Sequence, residues 1–285
     1  MKNLLKSDFY RARKDKVLLI GLLVTIGIVI FSLLITKGLE KLANDEIEGA
    51  GAILTTSGLA AWSNGVSVMG NTAQMLAPIF ITIFFVKEFN DRTIRNKLII
   101  GYSRSQIFFS IIIVHFVLSL IYLFAASFIG LLLGSLLFGL GATFTGDVFL
   151  LLILGFIIQF ILSYVLMGFC IILSINRQSI ALGIVLPIAI GFIISLLGSF
   201  AIMGISEGFS KVMSFTNFFQ SVELQNMVST EELFMTSYLE FGSGENMIRF
   251  ALPLTPMARI LLTAPLLITL ELVIGYFRFK KIQFK

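Results

Sequence analysis

The chain has 285 residues, of which 57% are hydrophobic and 13% charged, with a formal net charge of +5. A soluble domain of this size carries about 25% charged residues, so a water-exposed globular fold is excluded. The basic excess is a sidedness signal rather than a nucleic-acid footprint, because the cations fall between apolar runs on alternate sides.

In chain order, Lys2 to Lys16 places Leu5, Phe9 and Ala12 on one side of a helix and Lys6, Arg13 and Lys14 elsewhere. That pattern predicts a helix over 1–16 lying in the inner interface, with lipid headgroups near its basic side chains. The first apolar run, Val17 to Thr36, is longer than the roughly 7 to 15 residues of a signal-peptide core, and no small-residue cleavage site follows it. It is read as an uncleaved first span. Further spans are expected at Met69 to Val86, Ile107 to Leu133, Val148 to Ile175, Ile180 to Ile205 and Pro256 to Phe277. Each meets the roughly 17 to 25 residues needed to cross a bilayer core. Between the first two runs, the Gly-, Ala-, Ser- and Thr-rich loop holds Trp62, expected as an interfacial anchor. Gly130 and Gly134, four residues apart, allow close helix packing. Cys170, the one cysteine, reads as a packing residue and forms no internal disulfide.

The segment 206–254 is the longest outside the spans, with Glu207, Glu223, Glu231, Glu232, Glu240 and Glu245 among aromatics. Phe215, Phe218, Phe219 and Val222 recur at helical spacing, and Ser229 with Glu232 forms a capping-box signature ahead of Leu233, Phe234 and Tyr238. Two short amphipathic helices on the outer interface are expected there. Sixteen of the 21 basic residues lie in the N-terminus, the segment 87–106, the turn at Arg177 and the C-terminus, which places both termini in the cytoplasm for a six-span chain. The expected fold is therefore an all-α polytopic membrane protein forming a single transmembrane domain over 1–285.

The segment from Val86 to Ser110 packs Lys87, Glu88, Asp91, Arg92, Arg95, Lys97 and Arg104 between two spans. It resembles the inner loop of permease subunits of ABC transporters of the type 2 exporter family. That loop commonly runs from an acidic residue through a Gly-Thr or similar pair and a basic, apolar stretch to Ser-Arg. Glu88, Thr93, Ile94, Arg95, Leu98, Ser103 and Arg104 stand at the corresponding places, and Arg92 stands where many members carry glycine. The resemblance implies a permease paired with a second copy or a related permease and seated on cytoplasmic ABC ATPases. Glu88, Asp91, Arg92, Thr93, Arg95 and Arg104 would form the coupling element. It also implies export across a plasma membrane, with drugs, lipids, polysaccharides and antimicrobial peptides among the family's cargoes, and self-immunity among its roles. No G-x-x-x-x-G-K-[ST] phosphate loop occurs, so this subunit is expected to bind no cofactor and to leave ATP to its partner. The chain's richness in Lys, Ile and Phe suggests a bacterial source.

Ionisable residues within spans are functional candidates by default. His115 and Glu271 sit at similar depths from the inner side, so they either hydrogen-bond across the bundle or serve separately, His115 as a packing residue and Glu271 as a protonated or hydrated acid, and Gln159 with Ser163 is expected to bond neighbouring helices or line a path. Arg259 is expected near the outer end, snorkelling toward water. With a single histidine, the usual His-cluster metal site of an intramembrane protease cannot be assembled. The competing reading is an ATP-independent secondary transporter, for which Pro187 and Pro265 would break helices, although no internal repeat accompanies them.

Overall fold

A computed structural model of the chain describes residues 1–46, 57–59, 61–62, 72–141, 146–177, 179–202, 207–216, 220, 238–241, 248–251 and 256–282. The elements are α1 (Lys2–Lys14), α2 (Lys16–Glu46), α3 (Thr72–Asn90), α4 (Thr93–Ile99), α5 (Arg104–Phe138), α6 (Gly146–Arg177), α7 (Ile180–Ile202), α8 (Glu207–Met213), β1 (Tyr238–Phe241), β2 (Ile248–Ala251) and α9 (Pro256–Lys281).

Among the described residues, four helical stretches are long and apolar enough to cross a membrane: Lys16–Leu42, Arg104–Phe138, Val148–Cys170 and Ala258–Lys281. The second and fifth expected spans fall on α3 and α7, which are helical throughout. α3 is central and touches α2, α5, α6 and α7, while α9 packs along α6 and α5, and α1 lies across α5 and α2. The outer surface of this bundle is apolar: Leu23, Phe31, Phe116, Phe124, Leu150, Phe192, Leu262 and Phe277 are all exposed. Such a belt, on helices that satisfy their own backbone polar groups, belongs in lipid. The chain is a multi-pass helical membrane protein. α7 and α9 run continuously past Pro187 and Pro265, so neither helix is broken as a secondary transporter's would be.

Asp15 forms the elbow between α1 and α2. Its backbone is extended, and its carboxylate accepts from Val17 N at 2.7 Å, capping the first span with the short polar side chain that helix starts favour.

At the opposite end, residues 57–59 and 61–62 pack into the bundle. Gly58 N and Leu59 N donate to Gly139 O and Leu140 O at 2.7 and 3.2 Å. Gly130 and Gly134 of α5 make room for this segment: a Cβ on Gly130 would stand 2.7 Å from Ala61 O, and one on Gly134 would stand 2.2 Å from the Ala61 Cβ. The four-residue glycine spacing thus seats the helical residues 58–59 and 61–62 of the same chain. Trp62 turns inward with them. Rather than anchoring at the interface, its indole is 5% exposed and packs with Leu59, Val148 and Leu152. The large apolar ring is enclosed because the glycines let its backbone approach α5 so closely.

In the segment 206–254, α8 precedes the first expected helix, and Phe215, where that helix would start, stands in a turn. Tyr238, expected to follow the Ser229–Glu232 cap in a helix, begins a strand. β1 and β2 form an antiparallel hairpin that pairs Tyr238 with Ala251 and Glu240 with Arg249. Aromatic and β-branched residues flanking Gly242, Ser243 and Gly244 favour a hairpin over a helix. The expected helix over Phe218, Phe219 and Val222 and the Ser229–Glu232 cap lie outside the described residues. Gln220 ties this segment to α9, with its amide nitrogen donating to Thr263 Oγ1 at 3.0 Å.

Replacing Gly134 with leucine forces a side chain into Ala61 and is expected to cost about 1–3 kcal/mol of stability. Trp62, as the single tryptophan, reports it directly. The variant's emission should move to longer wavelength and its thermal midpoint should fall, whereas Gly27→Leu, which meets nothing within 4 Å, should change neither.

Candidate functional site

The elements carrying the basic segments converge at one end of the bundle, where α1, α3, α4 and α5 meet. The stripe that α1 buries is Leu4, Asp8 and Ala12, with Leu5 and Phe9 only partly covered. A carboxylate therefore stands in the middle of a buried helix face. Asp8 and Glu88 are each 1% exposed and Lys97 is 6% exposed.

These groups neutralise one another. Lys97 Nζ donates to Asp8 Oδ1 at 2.7 Å and to Glu88 Oε2 at 3.0 Å. Arg11 Nη1 lies 3.0 Å from Glu88 Oε1 and 4.0 Å from Asp8 Oδ1, as ion contacts without hydrogen-bond alignment. Ser110 Oγ of α5 completes the cluster, donating to Asp8 Oδ2 at 2.7 Å. Burial pushes the Glu88 carboxyl above its ordinary range, and the cations of Lys97 and Arg11 offset that only in part. The cluster is thus a balanced set of charges joining α1, α3, α4 and α5. Removing one partner strands a buried charge, which costs about 3–5 kcal/mol.

The inter-span segment is divided by this arrangement. Glu88 and Lys97 point inward, together with Ile94. Asp91, Arg92, Arg95 and Asn96 are exposed, and Ile99 and Ile100 are each 74% exposed. Thr93 is half-buried at the start of α4. The turn between α3 and α4 is made by Arg92, whose φ of 56° and ψ of 16° lie in the left-handed region. Where the resembling loops carry glycine, this chain keeps the glycine conformation on an arginine, at a cost of about 1–2 kcal/mol.

The Ser-Arg pair has separate tasks. Ser103 caps α5: its Oγ accepts from Gln106 N at 3.2 Å, and Ser103 N donates to Gln106 Oε1 at 3.0 Å. Arg104 reaches across to α9, donating to the carbonyl of Lys280 and, at 3.1 Å, to that of Ile282. A guanidinium on the last carbonyls of a helix satisfies acceptors that the helix cannot. Ser105 Oγ and Tyr276 Oη, 2.9 Å apart, reinforce the joint.

The intramembrane candidates lie deeper. His115 and Glu271 do not hydrogen-bond: the imidazole is fully buried and stacks on Tyr164 with centroids 5.0 Å apart, and neither ring nitrogen has a hydrogen-bond partner among the described residues. An aromatic neighbour one helix away holds the ring, as a packing histidine's would be held. Glu271 lies on the α9 face turned to α6, beside Gly168. Gln159 and Ser163 are enclosed in the bundle, and Ser163 Oγ donates to Gln159 O at 2.7 Å within α6. Arg259 is fully buried rather than snorkelling.

Sequence reasoning missed Asp8, because a charge on an interfacial helix is ordinarily counted on its solvated face. The available signal was its four-residue spacing from Leu4 and Ala12, which puts it on the apolar stripe.

Residues 4–198 match the family model described as ABC-2 family transporter protein. Comparison with curated proteins and with solved structures finds no match.

Lys97→Met is expected to lower stability by about 3–5 kcal/mol, and adding Glu88→Gln to that variant should restore part of the loss, read from thermal melts of the four members of the cycle. Additive losses would show that the two groups do not interact. At the turn, Arg92→Gly should leave the melting midpoint unchanged or raise it, whereas Arg92→Val should lower it by about 1 kcal/mol or more, because a β-branched residue resists positive φ.

Proposed function

Since the chain belongs to the ABC-2 family of transporter proteins, we propose that it is the transmembrane permease subunit of an exporter driven by a separate cytoplasmic ABC ATPase, working as a pair with a second permease copy or a related one. The observation that carries this reading is the exposed outer face of α4 and the residues around it, Arg92, Arg95, Asn96, Ile99 and Ile100, on a segment whose inner face is fixed by the buried charges.

The physical logic is that of a lever. A solvated loop that only set topology would need neither a buried cluster nor two isoleucines at 74% exposure. A small apolar patch rimmed by arginines suits docking into a groove on another protein. Force applied to α4 there would pass through Lys97 to α1 and α3, and through Ser103 and Arg104 to α5 and α9. Glu88 belongs to the transmission inside this subunit, with Asp91, Arg92 and Arg95 left to face the partner.

In this reading the α1–α4 end faces the cytoplasm, both chain ends lie there, and the bilayer is the plasma membrane of a bacterium. The segment 206–254 then faces outward with its acidic residues, which favours a cationic amphipathic cargo such as an antimicrobial peptide or a drug, exported or expelled to give immunity. A secondary carrier has no specific support, because α7 and α9 continue through their prolines.

The test is affinity capture of the detergent-solubilised protein from its native membrane, with identification of what stays bound. An ATPase should be recovered with the wild-type chain and lost with Arg95→Glu combined with Ile99→Asp, while Trp62 emission and the melting midpoint stay as in the wild type. Repeated recovery of the intact chain alone would move the assignment to an ATP-independent carrier.

A further inference from the structure

A cavity of about 390 Å³ lies between α6 and α9, lined by Phe169 together with Leu267, Leu270, Glu271, Ile274 and Arg278. That volume falls within the roughly 300–1,000 Å³ of small-molecule sites. Phe169, Leu267, Leu270 and Ile274 are exposed along its mouth, so the cavity opens sideways through the apolar belt.

Its chemistry is set by one carboxylate. Glu271 is half-buried, and its Oε2 rests against α6, 3.1 Å from where a Cβ on Gly168 would stand. Among the described residues no hydrogen bond or ion pair engages it. Arg278 does not neutralise it: seven residues further along α9, it is displaced by about 10 Å toward the helix end, at 1.5 Å per residue. An unpaired carboxylate at this depth is costly, so the group either holds a proton or takes a cationic complement, and a cation that enters the cavity displaces that proton. A second copy of the chain would not supply that complement, because Arg259, the cation placed within a span, is itself fully buried.

We propose that this cavity is a lateral binding site for a lipophilic organic cation, with Glu271 as its counter-ion and the aliphatic and aromatic walls holding its apolar body. Arg278 at the rim repels the same charge and so directs the cation to the deeper carboxylate. Access is from the membrane rather than from water, which suits a molecule already partitioned into the inner leaflet. That the bound cation is cargo rests on the exporter reading; that it binds does not.

The probe is tetraphenylphosphonium, measured by equilibrium dialysis against the full-length protein in lipid nanodiscs, with empty nanodiscs subtracted. Glu271→Gln should weaken binding about tenfold or more, a loss of about 1.4 kcal/mol or above. Glu271→Asp should retain most of the affinity, and Arg278→Ala should tighten it. Trp62 emission confirms that each variant is folded. Wild-type affinity in Glu271→Gln would overturn the proposal, as would efficient disulfide cross-linking of two chains through Leu270→Cys, which would make this face a contact between copies. Either result alongside successful ATPase capture would remove the cation site and leave the exporter reading standing; cation binding that depends on Glu271 without any captured ATPase would do the reverse.

Discussion

Asp8, Glu88, Lys97 and Arg11 are distributed over three helices, and the buried charges compensate one another only where those helices meet. A buried charge tolerates separation from its partner far less than an apolar contact does, because the alternative is a desolvated ion rather than a slightly larger void. The cluster therefore behaves as a clasp with two states, closed or badly destabilised. The position of α1 on the bundle, the inward face of α4 and the outward presentation of Arg95, Ile99 and Ile100 all depend on it. A merely hydrophobic joint at the same place would slide; this one fixes a register among the three helices.

The clasp also explains how an unfavourable turn persists. Arg92 holds a left-handed backbone that glycine would adopt without strain. Glu88 before it and Lys97 after it are locked together, so the path between them has few alternatives, and the strain is carried by the surrounding geometry. The Ser103 cap and the reach of Arg104 to the end of α9 continue the same chain of rigid joints to the last span. Motion at α4 has a continuous mechanical route to α1, α3, α5 and α9, as the proposed coupling to a separate ATPase would require.

Four long apolar helices were legible as spans because hydrophobic length is a direct consequence of bilayer thickness, and the convergence of basic segments at one end followed from where lysines and arginines fall. The N-terminal helix was legible too, but with its buried stripe turned slightly, since Leu4 and Asp8 are more enclosed than Leu5 and Phe9. What sequence could not supply was the pairing of charges remote in the chain: Asp8 and Lys97 lie 89 residues apart, and no local pattern marks one as the partner of the other. The same reason separates His115 from Glu271. Equal depth made them candidates for a bond, but helix rotation placed an aromatic ring, Tyr164, beside the imidazole. Trp62 was misjudged because a tryptophan between two apolar runs suggests the interface, whereas the glycines of α5 let its helical segment pack inward. The hairpin at Tyr238 was hidden by aromatic residues whose spacing also fits a helix.

The central claim is that α1 and α4 are one mechanical unit held by buried charge. Hydrogen–deuterium exchange of the backbone amides tests it most directly, since segments that open together exchange together. In the wild type, residues 2–14 and 93–99 should show matched protection, and Asp8→Asn should release both segments in parallel while the α5–α6 core stays protected. Release of α1 alone, with α4 as protected as before, would contradict the account and reduce the cluster to a local tether.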